Sequence, residues 1–159
     1  MTRIRISLPM RWGDQDALGH LNNVTLQQLL EEARIRALWQ HEDAERRLPC
    51  QVFGEGMLVD GEGPYAPLIG RQSVEYLAPV VYRQLPLDID VWFGRLGGAS
   101  ADLCYEMSGI ERGERVVYAR GITTMVLTDG ETMRPVRLPR VVRAAWEPLV
   151  EEPVALRGA

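Results

Sequence analysis

The stretch RWGDQDALGHLNNVTLQQLLEEARIR, Arg11 to Arg36, decides how the rest of the chain can fold. Its first part, Gly13 to Asn23, is a loop dense in polar groups: Asp14, Gln15, Asp16, His20, Asn22 and Asn23. Its second part, from about Val24 to Trp39, is the one long segment with clear helical period. Leu26, Leu29, Leu30, Ala33 and Ala37 follow the spacing of a single apolar face, while Gln27, Gln28, Glu31, Glu32 and Arg36 fall mainly elsewhere. Asn22 and Asn23 are good N-cap residues. Thr25 with Gln28 also fits a capping box, which leaves the helix start open by a turn. About 16 residues at 1.5 Å each reach roughly 24 Å, enough to cross a sheet. A polar loop feeding such a helix sets acids and a histidine beside the unpaired N–H groups of the first turn.

Working outward, Thr2 to Arg11 alternates Ile4, Ile6 and Leu8 with Arg3, Arg5 and Ser7, the pattern of a half-buried strand that Pro9 ends. After the helix, His41 to Gly70 is the least legible part. A short strand is expected at Met57 to Val59, then a Gly/Pro-rich loop from Asp60 to Pro67. Four strand-like segments follow: Leu68 to Val81, Pro86 to Leu96, Ser100 to Ile110 and Glu114 to Thr128. The last three are linked by Gly97-Gly98 and Arg112-Gly113, short turns that imply antiparallel hairpins. Arg140 to Glu147 reads as a short helix, and the tail after Pro148 is expected to fray. One apolar helix needs one sheet face to bury it, so the order strand, helix, four-strand meander predicts an α+β fold with an antiparallel sheet around that helix. The expected organisation is a single domain over 1–147 with a tail over 148–159.

At 159 residues the chain can bury a real core. Its net charge of −4 argues against a binder of nucleic acid driven by phosphate contacts. Cys50 and Cys104 have neither metal-ligand spacing nor a disulfide framework and read as free thiols. No secretory leader opens the chain and no apolar run is long enough to span a membrane, so the expectation is a cytoplasmic protein. All 18 basic residues are arginine. Amine chemistry from lysine is therefore absent, and any ligand phosphate must be met by arginine, backbone N–H or hydroxyl groups.

The run Asp14-Gln15-Asp16-Ala17-Leu18-Gly19-His20-Leu21-Asn22-Asn23-Val24, followed by Glu31-Glu32-Ala33-Arg34, resembles the signature loop and helix of hotdog-fold acyl-CoA thioesterases. It is most similar to the 4-hydroxybenzoyl-CoA thioesterase-like group. Tyr76-Leu77-Ala78-Pro79 resembles that group's second-strand motif, and Arg134 to Pro139 before a short helix is also typical of it. The likeness covers roughly Ile4 to Glu147. It implies a hotdog fold, an antiparallel sheet wrapped around one long central helix, with active sites where subunits of a homodimer or homotetramer meet. It also implies hydrolysis of an acyl-CoA or acyl-carrier-protein thioester, with no cofactor and no metal.

Residue by residue, the resemblance places Asp16 as the catalytic acid, acting as general base or as nucleophile through a mixed anhydride. Asn23 is similar to the residue whose backbone N–H polarises the thioester carbonyl, a role for a helix N-terminus. His20, four residues beyond Asp16, is a third candidate, either orienting Asp16 or the water or serving as a structural hydrogen-bonder. Gly19, Asn22 and Val24 are the substrate-binding candidates, Asn22 reading more readily as a cap. The related plant acyl-carrier-protein thioesterases carry an acid–x–Asn–x–His–x–Asn–Asn pattern, and Leu18 stands at their asparagine position. Asp14 reads as a turn-stabilising side chain. Glu31 and Glu32 read as a solvated or interface face, and Glu75 as a carboxylate pairing across a dimer. Arg71, Arg83, Arg95 and Arg120 are left unassigned among possible phosphate contacts. An enoyl-thioester hydratase on the same fold is the alternative enzyme, but its Asp–x–Asn–Pro–x–His spacing is absent here. A non-catalytic acyl-CoA-binding protein is the second alternative.

Overall fold

The computed structural model describes residues 3–158; Thr2, expected to begin the first strand, and Ala159 lie outside them. Five strands, β1 (Ile4–Leu8), β2 (Tyr65–Tyr76), β3 (Leu87–Leu96), β4 (Ser100–Glu111) and β5 (Glu114–Asp129), form one antiparallel sheet in the order β1-β3-β4-β5-β2. Helix α1 (Asn23–Leu38) lies between β1 and β2 in sequence, and α2 (Arg140–Trp146) follows β5. The β4–β5 link is a tight turn with Arg112 and Gly113 both at positive φ, 50° and 84°, matching the twist of the flanking strands.

Strand alternation separates two faces. Inward go Leu87, Ile89, Val91 and Phe93 of β3 and Leu103, Tyr105 and Met107 of β4, all buried in one core with Leu26, Leu30, Ala33, Ala37 and Leu38 of α1. The expected apolar face of the helix holds except that Leu29 is only half-buried. The helix also buries Arg34, whose guanidinium donates to Tyr105 Oη at 3.4 Å and to Glu31 at 3.2 Å. Trp146 of α2 stacks on Phe93 at 4.8 Å and donates its indole N–H to Cys50 O, closing one end of the core.

The opposite face carries a row of charges in register across all five strands. Arg5 faces Asp90, Asp90 faces Glu106, Glu106 faces Arg120, and Arg120 faces Glu75. Arg115 reaches both Asp90 and Glu106. The two adjacent carboxylates of Asp90 and Glu106, which would repel each other alone, are thus neutralised by Arg5, Arg115 and Arg120.

Three sequence expectations are corrected. Met57 to Val59 is not a strand: Glu55–Met57 is a 3-10 turn, and Gly56, Met57 and Asp60 all have positive φ, which breaks an extended run. Strand β2 begins at Tyr65, inside the expected loop, and stops at Tyr76, because Leu77 and Ala78 both donate to Tyr118 O and the chain then turns at Pro79. The stretch after Pro148 does not fray. Glu151 N donates to Phe93 O, Trp92 donates to Glu152 O, and Val154 is buried against Trp92 and Cys104 on the charge-bearing face. Gly94 permits this contact: a Cβ there would lie 2.9 Å from Cys104 Sγ and 3.1 Å from Pro153 Cβ. Among the described residues no helix is long and apolar enough to cross a membrane.

Candidate active site

The loop before α1 is built by its own short-range bonds. Asp14 is buried and accepts from Arg11 N at 2.8 Å and from Arg11 Nε at 3.0 Å, while its carbonyl accepts from Asn22 N. It is a brace for the loop. Asp16 pairs with His20 through the backbone, N to O at 2.8 Å, and Gly19 turns the chain between them with φ of 78°. Asp16 Oδ1 accepts from Leu18 N at 2.8 Å and from His20 N at 3.3 Å. The carboxylate is therefore oriented by two backbone donors. His20 supports it through its N–H; among the described residues its ring makes no hydrogen bond. Leu21 N donates to Val80 O, and His20 bridges Val81, which ties the loop to the chain just after β2.

The helix start is resolved by Asn22, whose Oδ1 accepts from Val24 N at 2.9 Å. That leaves the Asn23 N–H, one of the first-turn donors, with no acceptor among the described residues.

Asp16, His20 and Asn23 line a common open cleft of about 350 Å³. Leu21, Leu26 and Tyr76 to Val80 complete its lining, so Tyr76-Leu77-Ala78-Pro79, remote in sequence, meets the loop there. The Tyr76 hydroxyl accepts from Gln27 Nε2 at 3.2 Å, fixing that segment to the first turns of α1. Gly19, Asn22 and Val24 are not among the lining residues: Gly19 forms the turn, Asn22 the cap, and Val24 is exposed with its N–H held by Asn22. The lining residues Leu77 and Ala78 belong to the Tyr76-Leu77-Ala78-Pro79 motif, whereas Val80 carries no chemical signature in the sequence beyond its adjacency to Pro79.

Other candidates are occupied elsewhere. Glu31, itself exposed, pairs with the buried Arg34, and Glu32 pairs with Arg36 on the exposed side of α1. Glu75 accepts from Arg157 N at 2.8 Å and meets Arg157 Nε at 3.5 Å, so within the chain it binds the tail. Arg95 holds Asp102, Arg120 holds Glu106, and Arg83 donates to Tyr118 Oη and Ile110 O. Burial pushes the Cys50 thiol up to about 11 and raises that of Cys104, and neither lines the cleft. Among the described residues no three His, Cys, Asp or Glu side chains are grouped so as to hold a metal ion.

Comparison with known proteins gives the family. Residues 10–146 match the thioesterase-like superfamily. A search of the curated proteins finds no match. Among solved structures, the PA5185 protein of Pseudomonas aeruginosa PAO1 is 27% identical, with 97% of this chain and 94% of that one covered and a TM-score of 0.71. A thioesterase of Thermus thermophilus, solved with coenzyme A and Zn, is 26% identical over 89% of this chain and 94% of its own, with a TM-score of 0.64. The 1,4-dihydroxy-2-naphthoyl-CoA thioesterase of Synechocystis is 18% identical over 93% and 98%, with a TM-score of 0.69, and so shares the fold. The match spans the polar loop, α1, the whole meander and α2, and the chain belongs to the thioesterase-like superfamily, hotdog-fold hydrolases of thioesters.

Proposed function

We propose that this protein hydrolyses an acyl-CoA or acyl-carrier-protein thioester to the free acid and thiol, with Asp16 as the catalytic carboxylate and the Asn23 N–H as oxyanion donor. The observation that carries this reading is the cleft in which Asp16, His20 and Asn23 meet. Asp16 engages two backbone N–H groups through Oδ1, and among the described residues Oδ2 has no hydrogen-bond partner and is the oxygen left for the reaction. As general base, Oδ2 takes a proton from water while the water oxygen bonds to the thioester carbon. The carbonyl oxygen becomes an oxyanion against the Asn23 N–H, where the helix end adds partial positive charge. The C–S bond then breaks and the sulfur leaves as the thiol with the proton from Asp16. As nucleophile, the same oxygen would bond to the thioester carbon as the C–S bond breaks and the thiolate leaves; water would then open the anhydride, restoring the Asp16 carboxylate and releasing the acid, with the proton from water passing to the thiolate. In this reading Gly19 sets the loop turn, and Asn22, by engaging Val24 N, keeps the Asn23 donor for substrate.

The frame we infer is a sheet curled around α1, with one catalytic domain over 1–147 and a tail over 148–159, of which Val154 and Arg157 are bound to the sheet. Two subunits pair along β2. Among the described residues that strand has β5 as its one neighbour in the sheet, and it leaves Leu68 and Ile69 exposed.

The test is a thiol-release assay over a panel of acyl-CoAs with wild type and Asp16→Asn. The expected loss in kcat is about a hundredfold or more, the usual scale for a positioned acid–base group. Unchanged hydrolysis by Asp16→Asn would defeat the assignment. Enoyl hydration without thiol release would favour the hydratase, and tight binding without turnover the non-catalytic binder.

A further inference from the structure

A second cavity, of about 530 Å³, abuts the catalytic cleft: Tyr76 and Leu77 line both. Its other walls come from two places remote in sequence, Glu75 and Arg120 on adjacent strands and Ala155 to Arg157 on the C-terminal tail. The tail is held there by the burial of Val154 and by the Arg157 N–H donated to Glu75 Oε2. Both arginines of the cavity meet a carboxylate through Nε: Arg120 with Glu106 at 2.8 Å, Arg157 with Glu75 at 3.5 Å. Among the described residues the terminal amino groups of neither guanidinium, the fork that suits a phosphate, have a hydrogen-bond partner. Arg157 is 92% exposed along its side chain, so its pairing with Glu75 is weak and exchangeable.

A thioester must leave its reacting carbon in two directions, as an acyl arm and as a thiol arm. We propose that the thiol arm runs past Tyr76 and Leu77 into the tail-walled cavity, where Arg157, with Arg120 behind it, holds a phosphate of that arm. This rests on the thioesterase reading above. Glu75 positions Arg157 through its backbone and guanidinium, and the tail supplies a wall of the substrate site. The ligand chemistry is a pantetheine chain ending in phosphate, shared by coenzyme A and the prosthetic arm of carrier proteins.

The experiment compares wild type with Arg157→Ala on one acyl group carried either by coenzyme A or by N-acetylcysteamine, which keeps the thioester and its first amide but has no phosphate. The expected result is a KM for the acyl-CoA raised about fivefold with kcat nearly unchanged, the loss of one charge-assisted contact made equally in ground and transition states. Kinetics on the N-acetylcysteamine thioester stay as in wild type, and Arg157→Lys recovers part of the loss. Equal effects on both substrates, or none on either, overturn the proposal. Calorimetric titration with coenzyme A separates it from the catalytic reading. Weaker binding by Arg157→Ala supports the seat even if no thioester is hydrolysed; equal binding, or none by wild type, overturns it. Titration with 4′-phosphopantetheine then identifies the source. The same penalty there assigns the phosphate to the arm common to both carriers, and a penalty seen only with coenzyme A assigns it to the nucleotide end.

Discussion

Asp16 and His20 show what a single residue's neighbours decide. The carboxylate is held by two backbone N–H groups rather than by the imidazole ring. His20→Ala keeps the N–H that matters, so its kcat should fall by less than about tenfold, well short of the loss from Asp16→Asn, in the same thiol-release assay. The two asparagines divide in the same way. Asn22 contributes a side-chain cap, and Asn22→Ala should cost about 1 kcal/mol in urea denaturation. Asn23 contributes its backbone, so Asn23→Ala should leave both stability and kcat close to wild type. The sequence presents these residues as one polar run. It contains the resemblance that singles out Asp16 and Asn23, but whether a role belongs to a ring, an amide or a peptide N–H depends on loop geometry that no residue type encodes.

At the scale of elements, the strands were readable wherever alternation and Gly turns coincided, as in β3, β4 and β5, and α1 was readable from its apolar face. Between α1 and β2 the signal fails because positive φ at Met57 sits on a residue that rarely adopts it, and Asp60, which tolerates it better, does not announce it by type. The charge row on the sheet was equally hidden, since register across five strands is a tertiary fact. Glu106 is its centre. Burial alone would raise its pKa, but hydrogen bonds from Arg115 and Arg120, and their charges, outweigh that and hold it below the ordinary 4.5. A carboxyl depressed in the folded state stabilises the fold above its unfolded value and loses that contribution as pH falls through the folded one. The arginine side chains are partly in solvent, which limits the effect to about 1 kcal/mol. Urea midpoints should therefore show Glu106→Gln less stable than wild type at pH 7. The gap should close as pH drops below 4.5, the direction fixed by the depressed value.

For the whole molecule, the strand–helix–meander order already implies one sheet face buried on one helix, and it leaves the other face unexplained. That face carries Trp92, Cys104 and Ile122, apolar groups that the C-terminal tail covers with Val154 and Leu156. A terminal stretch rich in Glu and Pro reads as loose because its partners are strands distant in sequence, and only the folded sheet reveals the apolar patch it must cover. Ending the chain at Val150 should uncover that patch at a cost of about 2–4 kcal/mol, the range for losing one or two buried aliphatic contacts. Cys104, buried beneath Val154, should then react with a thiol reagent that the intact protein resists, while Cys50, enclosed in the core near Trp146, stays protected. Truncation also removes Arg157, so a full-length variant is needed to isolate the packing. Gly94→Ala places a Cβ 2.9 Å from Cys104 Sγ, closer than real Cβ contacts come, and 3.1 Å from Pro153 Cβ, tight enough that the neighbour must shift, and the tail, with fewer anchors than the sheet, is what moves. Gly94→Ala should thus reproduce the labelling of Cys104 and the loss of stability, whereas Arg157→Ala, at an exposed position, should produce neither.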